Sequence, residues 1–234
     1  FKESSQSSCL EMAVSQLRRV LDRVRLLSIG LLNSPSSSSA LSDLRSFLDC
    51  FSVEFMGLKL PEERVAANAG APVLYAKVAE ASSMHASLFG FRDEEDTIPL
   101  HDHPEMHGFI RVLRGALRVT SFSPLPSNPS RYRFDGTSEV RPSDGCVYLS
   151  PSSRNIHEVR ALEAGTFFFD LLVPGYKELP CSYYSAPKSL PLVGSEVELE
   201  RCPIPPTYFC VDIPFCTFFL DDVQEDARST SYEV

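Results

Sequence analysis

Ile98-Pro99-Leu100-His101-Asp102-His103-Pro104 is a short apolar approach that ends in two histidines one residue apart. Side chains of an extended strand repeat with period two, so His101 and His103 point the same way and can hold one metal ion from one strand. The chain has 234 residues and only 5 histidines, three of which (His101, His103 and His107) fall within 101–107. His157 lies far downstream in a second strand-like stretch, Asn155-Ile156-His157-Glu158-Val159. Two imidazoles from one strand and a third from another would cap one face of a metal and leave the other face to substrates.

The segments around this stretch read as β structure. From about residue 72 short apolar or alternating runs are cut by Pro, Gly, Asn and Asp. Strands are predicted over 73–80, 84–91, 98–103, 108–113, 116–122, 130–134, 146–149, 156–161 and 165–173, a pattern of sandwiches and barrels. Phe167-Phe168-Phe169-Asp170-Leu171-Leu172-Val173 is apolar on both faces apart from Asp170, so an interior strand is expected. A lone carboxylate there needs a partner. The stretch from Ser123 to Ser130, with three prolines, is expected to be a long hairpin connection at the pocket mouth.

The N-terminal part is helical. Leu10, Val14, Leu17, Leu21, Val24, Leu27 and Leu31 recur in steps of three and four, which predicts an amphipathic helix over 9–32. A second helix is expected over 42–51 with Ser42 as its N-cap, and a third from Pro61 to before Gly70. The expected organisation is a helical extension over 1–70, a β domain over 71–220 and a polar tail over 221–234.

Composition narrows the function. A formal net charge of −9 disfavours a nucleic-acid surface, and no apolar run is long enough to span a bilayer. Seven cysteines at irregular spacing, with no CxxC pair, disfavour a disulfide framework or a thiolate zinc site. A reducing compartment is expected: the cytoplasm, with the nucleus as a second location, ahead of the mitochondrion. The first thirty residues carry Arg18, Arg19, Arg23 and Arg25 and are Ser-rich, but Glu3, Glu11 and Asp22 argue against a transit peptide. The chain opens on Phe1 and not on Met, which leaves its natural start open.

The histidine motif, Gly115 at a turn between two strands, and then Gly145, Pro151 and His157 resemble the two motifs of the cupin family. That resemblance implies a double-stranded β-helix, a jelly-roll barrel with one metal inside. Two departures matter. The step from Pro151 to His157 is one residue longer than usual. The Glu ligand expected four or five residues after the second histidine is replaced by His107 and Gly108. Three imidazoles without a carboxylate are the ligand set of the thiol dioxygenase branch.

Ile98 to Pro104, Met106-His107-Gly108, Val112-Leu113 and Gly115 resemble the cysteamine dioxygenase and plant cysteine oxidase family. So do Asn155 to Val159, Phe168 to Leu172, Pro174, Tyr176 and Cys181-Ser182-Tyr183-Tyr184, and the likeness covers roughly 70–185. Glu105 departs from it, standing where the family usually has Gly.

The resemblance implies Fe(II) on His101, His103 and His157, with His107 outside the ligand set, and a monomer that adds both atoms of O2 to a thiol. The substrates implied are cysteamine, giving hypotaurine, or a protein N-terminal cysteine, giving the sulfinic acid, in which case the enzyme is an oxygen sensor. It also places Asp170 and Tyr176 at the pocket and raises a thioether between Cys181 and Tyr183. Zinc competes for three histidines on chemical grounds, and the resemblance selects iron. Two rivals are another metal-dependent cupin enzyme and a metal-binding cupin without activity. A free-cysteine dioxygenase would need a cation for the substrate carboxylate, and none can be placed from the sequence.

Overall fold

The computed structural model describes residues 2–35, 37–60, 71–176, 180–215 and 217–220, without the side chains of residues 2–11 and Pro129. The helix expected from Pro61 and the tail over 221–234 lie outside the described residues.

Helix α1 spans Lys2–Asn33. Helix α2 spans Ser38–Asp49, and its N-cap is Ser37 rather than Ser42, with the Ser37 hydroxyl accepting from the Ala40 N–H at 3.4 Å. Ser42 instead sits inside the helix, because Leu41, Leu44 and Leu48 extend the apolar face one turn earlier. A short third helix, α3, spans Val53–Met56 and ends on Gly57 in the left-handed region.

Two seven-stranded sheets follow. Their long strands are β1 (Val73–Ala81), β2 (Met84–Phe91), β4 (His107–Arg114), β5 (Leu117–Leu125), β6 (Asn128–Val140), β8 (Ile156–Ala161) and β9 (Phe167–Val173). Shorter ones are β3 (Thr97–His101), β7 (Val147–Leu149), β10 (Tyr183–Ser185), β11 (Glu196–Glu198), β12 (Glu200–Cys202), β13 (Cys210–Asp212) and β14 (Phe218–Phe219). One sheet runs β13-β1-β2-β9-β4-β7 with β14 also on β1, and the other runs β11-β6-β5-β8-β3-β10-β12. This is the mainly β, double-sheet jelly roll with N-terminal helices expected from the sequence.

Strand β9 explains its own composition. Phe168 faces the barrel interior with Val73, Ile98, Ile110 and Val119. Phe167, Phe169, Leu171 and Val173 face outward and share a core with Leu21, Val24, Leu44 and Leu48 of the helices. Both faces are therefore covered, which is why the strand is apolar apart from Asp170. Arg111 of β4 fastens α2 to this sheet. Its buried guanidinium donates to the backbone carbonyls of Phe51 (3.0 Å), Pro142 (2.7 Å) and Asp49 (3.0 Å). An Arg111→Ala variant orphans these carbonyls and is expected to lose about 2–4 kcal/mol in urea unfolding. A loss below about 0.5 kcal/mol would mean the clamp does not hold the helices.

Three expectations need correction. Residues 123–130 are not a long connection: β5 and β6 run on until Leu125 pairs with Asn128, leaving a tight turn at Pro126-Ser127, and these residues do not line the central cavity. Strand β6 is far longer than 130–134, since Gly136 (φ 109°) sits at an irregularity in the β5–β6 pairing and is not a stop. Strand β3 ends at His101, so His103 is held by other means.

Candidate metal centre and its cavity

The three histidines converge from two strands and a turn. His101, the last residue of β3, pairs directly with His157 of β8 on one side and with Tyr183 of β10 on the other. His103 lies past the strand end, where the period-two argument no longer applies. Asn155 fixes it instead. The Asn155 side chain accepts from the His103 N–H at 3.0 Å and donates to the His103 carbonyl at 2.9 Å, with further carbonyls at Ser150 and Met106. This clamp replaces the missing ladder. In the sequence Asn155 is legible only as a polar residue two before His157, since its burial and its bonds come from the fold.

The candidate ligand nitrogens of His101, His103 and His157 lie within 4.8 Å of one another, and all three residues are buried. The His101 Nδ1–H donates to the Pro99 carbonyl at 2.8 Å, and the His157 Nδ1–H to the Asn155 carbonyl at 3.2 Å. Those bonds fix the tautomers and leave each Nε2 with an outward lone pair. His101 Nε2 and His103 Nε2 stand 3.0 Å apart. Burial pushes all three imidazoles down, His157 to about 3 and His103 well below the ordinary histidine value, with repulsion from neighbouring imidazoles adding to it in both. Three neutral imidazoles with their ring nitrogens gathered at one point fit a divalent metal ion.

Glu105 does not join them. It is exposed and adopts φ 63°, a left-handed conformation that favours glycine. His107 points elsewhere, its Nδ1 2.8 Å from the Tyr148 hydroxyl. No fourth His, Cys or carboxylate completes the group among the described residues.

Asp102 faces away from the histidines and ties the neighbouring strand to them. Its carboxylate accepts from the Ser182 N–H at 2.6 Å and from the Tyr184 hydroxyl at 2.7 Å. Burial and the Asp102 carboxylate together push the Tyr184 hydroxyl above the usual phenol range. The loop carrying Cys181 and Tyr183 is thereby held against the centre.

In front of the imidazoles lies a cavity of about 180 Å³. Asp170, Tyr176, Cys181 and Tyr183 all border it, so every site residue expected from the sequence meets in one place. Asp170 projects inward from β9 beside Ser87 of β2, its strand partner. Burial raises its carboxyl to about 7. The Tyr176 hydroxyl lies 3.3 Å from His103 Nδ1 and 3.4 Å from Cys181 Sγ. Burial pushes the Tyr176 hydroxyl up, with Cys181 adding to it, and burial raises the Cys181 thiol too.

The sequence did not reveal the far wall. Tyr75 of β1 and His85 and Ser87 of β2 also border the cavity, with His85 Nε2 3.2 Å and Ser87 Oγ 3.3 Å from the Tyr75 hydroxyl. Only strand register brings them there. Tyr208, from the C-terminal segment, completes the lining. No Lys or Arg lines this cavity among the described residues.

A protein-family model described as PCO_ADO matches residues 20–202. The chain is 26% identical over 171 residues to the 2-aminoethanethiol dioxygenase of Homo sapiens, covering 61% of this chain and 62% of that protein. It is 27% identical over 150 residues to the probable 2-aminoethanethiol dioxygenase of Dictyostelium discoideum, covering 60% and 66%. The chain thus spans less than two thirds of the length of these relatives. Among solved structures, KdgF from Halomonas sp. aligns at a TM-score of 0.35 and 19% identity, over 44% of this chain and 79% of that one. An rmlc-like cupin protein from Desulfovibrio desulfuricans aligns at 0.34 and 20%, over 44% and 84%. At that degree of likeness neither says what this chain does.

Proposed function

The chain belongs to the PCO_ADO family, and from that premise we propose that it is an Fe(II)-dependent thiol dioxygenase acting on an aminoethanethiol. The substrate is cysteamine or the N-terminal cysteine of a protein, and the product is the corresponding sulfinic acid. The second substrate would make the enzyme an oxygen sensor.

One observation carries this reading: the cavity offers three neutral imidazoles and one half-buried carboxylate, with no Lys or Arg among its described lining. A free amino acid or a 2-oxo acid would bring a carboxylate for which no Lys or Arg stands in the described lining, and would set it near Asp170. A thiol with a neighbouring amine suits the same surroundings. This also argues against the free-cysteine rival.

His101, His103 and His157 would hold the iron. When bound it would supply O2 activation and an open cationic face for a thiolate. The protein's own residues do the rest. The Pro99 and Asn155 carbonyls keep His101 and His157 in the tautomer that presents Nε2. Asp170 accepts from the substrate nitrogen, and an ammonium beside it draws the carboxyl back toward ionisation. The Tyr176 hydroxyl, between His103 and Cys181, orients the His103 ring. Phe89, Ile110 and Phe168 keep the enclosed space apolar around these groups. A Cys181–Tyr183 thioether belongs to the same proposal, since both residues border the cavity; intact mass after turnover reads it as a loss of two hydrogens.

Asp170→Asn is the specific test. Its kcat/KM for cysteamine is expected to fall about 10–100-fold, mainly through KM, while a two-carbon thiol without an amine is affected far less. Equal losses on both thiols would remove Asp170 from nitrogen recognition. The same variant has a stability signature in the metal-free protein. Folded Asp170 holds its proton up to about pH 7, whereas the unfolded residue releases it near pH 4. The native state then binds more protons across that window, so stability falls as pH rises through it. Wild type should therefore lose stability relative to Asp170→Asn between about pH 4 and 7 in urea titrations.

A further inference from the structure

The mouth of the cavity is bordered by tyrosines from three separate segments: Tyr176, Tyr183 and Tyr208. The first two sit within the family match, which ends at residue 202, and Tyr208 lies beyond it. Tyr208 is thus a contribution of this chain's C-terminal strap.

The strap is built to hold that residue still. Pro205, Pro206, Thr207 and Tyr208 form a tight turn, closed by the Tyr208 N–H donating to the Pro205 carbonyl at 2.9 Å. Pro206 occupies the turn position where its fixed φ is favoured. Immediately afterwards β13 runs parallel to β1, pairing Cys210 with Val73 and Asp212 with Tyr75. The Ile213 N–H donates to the Tyr75 carbonyl at 2.8 Å. The side chain is anchored as well. Cys210 Sγ donates to the Tyr208 hydroxyl at 3.4 Å, and the Tyr208 ring packs on the barrel-interior cluster. Tyr208 is half-buried while its neighbours Thr207 and Phe209 are exposed, which sets it at the rim.

Its depth decides what it can touch. The Tyr183 ring is 6.1 Å from the His101 ring, and the Tyr208 ring is 6.1 Å from that of Tyr183. The S–C–C–N unit of an aminoethanethiol spans only about 4 Å by its bond lengths. In this chain of ring contacts Tyr183 stands between His101 and Tyr208, so a unit seated at the imidazoles meets Tyr183 first. Whatever is attached beyond it, such as the first peptide bond and second residue of a polypeptide, has to pass the tyrosine rim. We propose that Tyr208 is the specificity-determining residue of this chain: it limits the bulk that a thiol substrate carries beyond its aminoethanethiol unit. The proposal rests on the function inferred above.

The test uses Tyr208→Ala, which widens the mouth, and Tyr208→Trp, which narrows it. Two readouts are taken. In metal-free protein, Cys181 on the cavity wall is alkylated with iodoacetamide or with a bulky aromatic maleimide, and modification is assigned residue by residue through peptide mass. In iron-loaded protein, kcat/KM is compared for cysteamine and for a peptide beginning with Cys. Tyr208→Ala is expected to raise the maleimide-to-iodoacetamide rate ratio at Cys181, and the peptide-to-cysteamine ratio, about fivefold or more; Tyr208→Trp should lower both. Narrowing cannot be produced by a loosened fold, so the Trp variant decides the matter even if the Ala variant is destabilised. Ratios unchanged in both variants overturn the gate, as does Ala-induced labelling that rises equally at buried Cys146. If wild type oxidises neither thiol, the dioxygenase reading falls, while the labelling arm still judges the gate.

Discussion

His157→Ala is expected to lower turnover by about a thousandfold or more, some 4 kcal/mol of transition-state stabilisation, together with loss of bound iron. The reason is geometric. The three imidazoles are the complete His, Cys and carboxylate group at this point among the described residues, so no neighbour can substitute for a lost ligand. Iron stoichiometry by elemental analysis and oxygen uptake with cysteamine should fall together. The metal-free fold should not suffer in proportion, because near pH 7 this imidazole is neutral and what is lost is its packing and its bond to the Asn155 carbonyl. That contrast separates the enzyme from a cupin that merely binds metal for structure. In the latter, His157→Ala would lower metal-loaded stability and there would be no turnover to lose.

Asp102→Ala should have the second-largest effect, and for a different reason. Asp102 touches no bound group. It holds the Ser182 N–H and the Tyr184 hydroxyl, both inside the fold. Truncation leaves the buried Tyr184 hydroxyl and the half-buried Ser182 N–H without this partner, at an expected cost of about 2–4 kcal/mol in urea unfolding. It also releases the segment that carries Cys181 and Tyr183 to the cavity, so turnover should drop even in the folded fraction. A double-mutant cycle with Tyr184→Phe isolates the hydroxyl contact and should give a coupling of about 1–2 kcal/mol. Purely additive losses would mean that the Asp102–Tyr184 bond does not position the loop.

Much of this centre was legible because its parts are local in sequence. His101 and His103 sit one residue apart, and Asp170 stands alone in an apolar run. Short apolar or alternating runs bounded by turn residues locate the long strands β1, β2, β8 and β9 to within a residue or two. That reading fails where strands are two or three residues long and take partners from far away, as β10 to β14 do. Such strands are too short to show a period, and their pairing is decided by the barrel edge they meet. For the same reason the far cavity wall stayed hidden. Nothing near Tyr75, Ser87 or Tyr208 in sequence points to a metal centre; the β1–β2–β9 register and the strap along β1 bring them there. His103 shows a subtler case. Its convergence with His101 was foreseen from strand periodicity, yet the strand stops first and the Asn155 clamp does the positioning.

The helices illustrate a different limit. Their amphipathic pattern announced that one face would be buried, but not against what. The structure places that face on the outer side of the sheet containing β9, with Arg111 bonding to the carbonyls at the end of α2. An element that reads as an appendage in sequence thus shares a core with the sheet that carries Asp170. Among the described residues no helix is long and apolar enough to cross a membrane.

The most direct measurement is mass spectrometry of the thiol after reaction. The protein is reconstituted anaerobically with Fe(II), then exposed to oxygen-18 gas with cysteamine and, separately, with a peptide beginning with Cys. Addition of two labelled oxygen atoms to either thiol, absent in His101→Ala, is the expected result. Iron bound at one equivalent with no labelled oxygen in either thiol would contradict the dioxygenase assignment.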